Sequence, residues 1–203
     1  MTRISQKIPE NKKELTSLSL ALYGSFYPAF YLLEITLKTR LFNLVQEKLG
    51  ENWFSKQLEV SEKDSLFRQE LEQIKRRKPK GFKVKAEGLL VESGLGFWVE
   101  FFNKRVYKLT KGIPILIFTN LPAEVKRKEI YAKLDNVKEI RNQLVHFRIP
   151  PITQSADLKY LDQLQKAVGD LTALLAWLNV TETGTPIANE VRLKSAEIIN
   201  FFT

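Results

Sequence analysis

Apolar residues recur at three- and four-residue spacing along most of the chain, the period of helices that bury one side. Leu15 to Tyr23 is a short apolar segment, broken near Gly24 and Pro28. From Ala29 to Leu49, residues Phe30, Leu33, Leu37, Leu41, Leu44 and Val45 mark one face, and Gly50 supplies a C-terminal stop. Ser61, with Asp64 three residues on, predicts the cap of a polar helix that runs to the region of Arg77. Asn120 and Pro122 predict the start of a long helix ended by Pro150-Pro151. Ser155 or Asp157 opens another, in which Leu161, Leu164, Val168, Leu171, Leu175 and Leu178 form a narrow seam suited to antiparallel packing. Thr185-Pro186 starts a last short helix through Phe202. The expected fold class is therefore all-α: a helical bundle with a long central helix, in one domain over residues 1–203.

Two stretches depart from this rhythm. Lys75, Arg76, Arg77, Lys78, Lys80, Lys83 and Lys85 stand within eleven residues that contain no acid, interrupted by Pro79 and Gly81. That composition predicts a basic loop, either a solvated linker or a contact for a nucleic-acid backbone, with Phe82 available to stack on a base. Gly94-Leu-Gly-Phe-Trp-Val-Glu-Phe-Phe102 is the opposite case, too dense in aromatic residues to stay in water, and is expected in the core. Lys126, Arg127 and Lys128 extend the basic surface.

Composition narrows the partners. The 203 residues carry 32 Lys and Arg against 23 Asp and Glu, a net charge of +9 that favours a polyanion. Cysteine is absent and histidine occurs once, which excludes disulfides and thiolate metal sites and leaves little to build a zinc site from, so no metal or cofactor is expected. Met1 to Asn11 is polar, unlike a signal peptide, and the apolar runs Gly112–Phe118 and Leu171–Val180 fall short of the roughly 20 residues that cross a bilayer. A soluble, cytoplasmic protein without membrane contact is the expectation.

The chemistry lies on the helix between Asn120 and Pro150. At about 100° per residue, Ile130, Val137, Ile140, Leu144 and Phe147 gather on one side and are expected in the core, while Asp135, Glu139, Asn142 and His146 fall opposite. Arg141 stands inside the apolar arc, about 140° from His146 on the same wheel. A buried guanidinium costs several kcal/mol unless paired, so Arg141 requires a partner. That partner is an acid, with Glu34 the best internal candidate, in which case the arginine holds the bundle together; or it is a phosphate in a cleft. His146 is the one side chain of the type that exchanges protons near neutral pH. A metal-independent ribonuclease needs a proton acceptor for a ribose 2′-OH and positive charge on the phosphorane, which histidine and arginine supply.

The string Arg141-Asn142-x3-His146 resembles the R-x4-6-H signature of the HEPN superfamily of all-α bundles, whose active members are metal-independent ribonucleases. Tyr31-Leu-Leu-Glu-Ile-Thr-Leu-Lys-Thr-Arg-Leu-Phe-Asn43 with Gly50-Glu-Asn-Trp53 resembles the opening helix of the Abi-like (abortive infection) proteins. Gly94-Leu-Gly-Phe-Trp-Val99 is similar to their central Gly-Phe-Trp segment. The resemblance implies a homodimer in which two motifs share a cleft, with His146 as general base or acid, Arg141 as phosphate clamp and Asn142 as positioning residue. It also implies RNA cleavage in phage defence or growth arrest; a rival expectation is the helical half of a two-component system, such as a toxin–antitoxin pair, held inactive by an antidote or working with a nucleotidyltransferase. Some members lack activity, and the competing expectation is a non-catalytic helical module that binds RNA or protein.

Overall fold

Among the described residues, which are 10–60, 65–180 and 184–202 of the computed structural model, ten α-helices and three 3-10 segments follow one another and no strand occurs. The helices are α1 (Glu10–Gly24), α2 (Tyr27–Leu49), α3 (Trp53–Val60), α4 (Leu66–Arg76), α5 (Ala86–Glu92), α6 (Leu95–Val99), α7 (Lys104–Leu109), α8 (Arg127–Val145), α9 (Lys159–Trp177) and α10 (Gly184–Asn200). The 3-10 segments are Glu100–Phe102, Ile113–Ile117 and Ser155–Leu158. The all-α expectation holds.

The Leu161-to-Leu178 seam is buried throughout, and α9 uses it to pack between α8 and α10. The α10 helix in turn lies on α1, while α2 rests on α6, α9 and the 113–117 segment. An aromatic cluster joins five elements: α2, α3, α4, α6 and the 100–102 segment. Phe42 stacks on Phe54 at 4.8 Å, Phe67 meets Phe97 edge-on at 5.6 Å, and Trp98 stacks on Phe101 at 5.5 Å. Such contacts add to what burial alone supplies. They place the Gly94–Phe102 run in the core as expected, and they explain α3, an eight-residue helix whose Phe54 is fully buried.

Several boundaries differ from the sequence expectation. Ser61 and Asp64 lie outside the described residues; α4 is capped by Ser65, whose Oγ accepts from the Arg68 N–H at 3.2 Å. The long helix starts at Arg127 rather than near Asn120. Pro122 instead opens a turn closed by the Val125 N–H, and Asn120 is tied to α9, its N–H donating to Trp177 O at 3.0 Å. Its other end falls at Val145, before the prolines, so the motif-bearing helix has 19 residues and is shorter than the 23-residue α2. The helical stretch Asn11–Leu49 also exceeds expectation: one window is long and apolar enough to cross a membrane by length and composition. Counting uninterrupted apolar runs overlooks it, because its apolar residues are interleaved with polar ones. Leu22, Phe26, Leu33 and Leu37 from this stretch are fully buried in the protein core.

Candidate functional site

Ile130, Leu134, Val137, Ile140 and Leu144 of α8 are all buried, and they fix the rotation of the helix about its axis. That rotation aims Arg141 along the boundary between core and solvent. Its Nη2 lies 3.6 Å from Glu34 Oε2 on α2, and its Nη1 donates to Asn142 Oδ1 at 3.2 Å. The Glu34 partner foreseen from the wheel is present. Both side chains stay partly open, Arg141 at 30% and Glu34 at 20%. A guanidinium has five donors, so the pair orients the fork and leaves further donors facing outward.

His146 is the C-cap of α8, and its backbone N–H donates to Asn142 O at 3.0 Å. The imidazole is exposed, and among the described residues it makes no hydrogen bond or ion pair. Arg141, Asn142 and His146 thus share the last turn of one helix, but within one chain Arg141 contacts Asn142 and Glu34 rather than the histidine. The segment after His146 is pinned to α1. Ser19 Oγ accepts from the Ile152 N–H at 2.9 Å, and the Tyr23 hydroxyl donates to Pro150 O at 2.7 Å. Burial pushes the Tyr23 phenol far above its ordinary value, with Asp157 and Tyr160 adding to the effect, so it stays a neutral donor.

Phe147 overturns its expected place in the core. It sits at φ +52° and is 83% exposed. The wheel assumes a helix through residue 147, whereas α8 ends with a left-handed residue: the Arg148 N–H donates to Gln143 O at 2.8 Å and the Phe147 N–H to Leu144 O at 3.2 Å. The reversal swings the ring out of the apolar arc. A non-glycine residue in this conformation costs about 1 kcal/mol or more.

The basic stretch divides in two. Lys75 and Arg76 belong to the last turn of α4, and 77–85 form a loop. Arg77 and Lys78 are used internally. Arg77 Nη2 donates to Glu92 O at 3.0 Å, while Lys78 lies 2.6 Å from a Glu92 carboxylate oxygen and 5.4 Å from the centre of the Phe82 ring. Lys75 lies 3.6 Å from Glu72 at the surface. Arg76, Lys80, Lys83 and Lys85 are exposed and have no acidic partner among the described residues. The loop folds over an open pocket of about 830 Å³ with an apolar floor of Leu58, Leu71 and Val84 and a rim of Lys75, Lys80 and Lys83. Leu58 and Leu71 were missed as site residues, since neither carries a signal until α3 and α4 are brought together.

A second polar cluster, also missed, lies two turns earlier on α8. Asp170 of α9 is buried and accepts from Lys133 Nζ at 2.9 Å and from Asn136 Nδ2 at 2.8 Å, so both of its oxygens are bonded. Its signal is an acid inside the leucine seam. Among the described residues no three His, Asp or Glu side chains converge as metal ligands do. In comparison with known proteins, the chain matches no family model, no curated protein and no solved structure.

Proposed function

We propose that the chain is a metal-independent endoribonuclease of the HEPN, Abi-like type, acting on RNA in the cytoplasm in phage defence or growth arrest. The observation that carries this reading is the open end of α8: an arginine whose fork is oriented by Glu34 and Asn142 with donors to spare, and the chain's only histidine exposed five residues on. In the reaction His146 accepts the proton of a ribose 2′-OH. The freed oxygen attacks the adjacent phosphorus, and Arg141 bears the charge on the equatorial oxygens. The bond to the 5′ oxygen breaks and that oxygen takes up a proton, leaving a 2′,3′-cyclic phosphate and a 5′-OH end. Because the two side chains do not meet within one chain, the reading requires a homodimer in which Arg141 of each copy completes the site with His146 of the other. The lysines at 75, 80, 83 and 85, with Arg76, hold the RNA backbone.

The Glu34 pair favours a second reading. If its purpose is to tie α2 to α8, the chain is a non-catalytic RNA- or protein-binding module, working with an antidote or a nucleotidyltransferase. Incubation of total RNA with the protein in EDTA separates the two. The nuclease reading expects fragments ending in cyclic phosphate from the wild type and none from Arg141→Ala or His146→Ala. Intact RNA in every lane favours the binding module.

A further inference from the structure

Among the described residues, three helices end in the same backbone motif, and one of them uses an unexpected residue. After α7, α8 and α9 the chain turns through Lys111, Phe147 and Asn179, at φ +54°, +52° and +54°. Each turn is closed by the same long bond: the Gly112 N–H to Tyr107 O, the Arg148 N–H to Gln143 O and the Val180 N–H to Leu175 O, at 2.9, 2.8 and 2.8 Å. Asparagine is suited to this conformation, and Asn179 Oδ1 also accepts from Asn120. Lysine keeps its charge in water. Phenylalanine has neither justification, since the left-handed backbone is strained for it and the ring stands in solvent at 83% exposure. The ring therefore does not serve the fold of this chain, and the glycine usual at this position would serve it better.

What surrounds the ring selects its occupant. His146 precedes it and exposed Arg148 follows it, and no acidic partner of Arg148 occurs among the described residues. The contacts of Tyr23 with Pro150 and of Glu34 with Arg141 run the first helices antiparallel to residues 141–150. Tyr27 and Tyr31 lie between those two anchors on the Glu34 side of α2, at 44% and 71% exposure. The end of α8 thus combines cationic groups with uncovered aromatic rings, the pairing that binds unstacked bases of a polyanion. From this we infer that Phe147 is a base-stacking residue which selects single-stranded over paired RNA and seats an unpaired nucleotide next to His146. The inference rests on the ribonuclease reading for its substrate, and it adds the strandedness of that substrate and the residue that senses it.

The test uses the full chain as wild type, Phe147→Gly, Phe147→Leu and Phe147→Trp. The probe is a fluorescent 2′-O-methyl oligoribonucleotide that cannot be cut, offered single-stranded and as a duplex, and the unmodified oligonucleotide is assayed for cleavage in parallel. Single-strand affinity should fall about tenfold in the glycine and leucine variants and stay within about twofold in the tryptophan variant, with duplex binding unchanged. The Tm of Phe147→Gly should hold or rise. Equal single-strand affinity in all four proteins overturns the inference while leaving the nuclease reading to its cleavage result. Ring-dependent binding without cleavage upholds the inference and sinks the nuclease. A Tm that falls in Phe147→Gly assigns the ring to the fold, and a dimer that dissociates assigns it to a second copy; either overturns the inference, as does failure of the wild type to bind.

Discussion

Two of the polar clusters on α8 are built to different standards. At Lys133 and Asn136 both oxygens of a buried carboxylate are bonded at 2.8–2.9 Å, and the cluster joins α8 to α9. At Arg141, Asn142 and His146 the closest ionic contact is 3.6 Å, the guanidinium keeps spare donors and the imidazole is exposed. The first arrangement is what a buried charge needs to be tolerated at all. The second gives up complete pairing for access. On the proposed ribonuclease reading, that concession separates the polar residues of α8 that hold the bundle from those that act on substrate.

The contrast is broken most forcefully at Asp170. Asp170→Ala leaves Lys133 and Asn136 half-buried without their acceptor and should cost about 2–3 kcal/mol, a drop in Tm of about 5–10 °C. Urea denaturation checks this, and cleavage per folded molecule should not change. The basic loop offers the same contrast on a smaller scale. Lys78→Ala removes the partner of Glu92 and should lower stability by about 1 kcal/mol or less. Joint replacement of Lys80, Lys83 and Lys85 by alanine should leave the Tm alone, yet flatten the dependence of log affinity for single-stranded RNA on log salt by about 2.

The smallest effect belongs to Glu70 of α4. Burial holds its carboxyl above the ordinary value, against the pull of Ser93 and Arg77, so the folded chain disfavours the charged form. The stability carried by the protonated acid is complete below the unfolded value of 4.5 and is lost as pH rises through the raised folded one. Glu70→Gln should therefore raise the Tm slightly at pH 7 and leave it unchanged at about pH 4. Paired melts at the two pH values decide it.

What the sequence disclosed follows from the range of the forces involved. The leucine seam of α9 and the buried face of α2 were legible because helical burial repeats with a fixed period. Arg141 was legible as a misplaced charge, and Glu34 as its partner, because a guanidinium in an apolar arc allows few solutions. Asp170 broke the same rule in α9 and went unread, since the leucines around it carried the pattern. The ends of α8 were not legible either. Its start depends on Asn120 being held by the end of α9, a contact from a distant part of the chain. Its finish depends on a phenylalanine taking a backbone conformation that its residue type argues against, so the wheel ran past Val145 and placed Phe147 in the core.

The open cluster is tested most directly by measuring Tm and RNA cleavage in EDTA on the same preparations of wild type and His146→Ala. Because the exposed imidazole makes no hydrogen bond or ion pair among the described residues, the Tm of His146→Ala should be unchanged and its cleavage reduced by about 100-fold or more. Cleavage that persists in His146→Ala, or that is lost only in step with a fall in Tm, would contradict it.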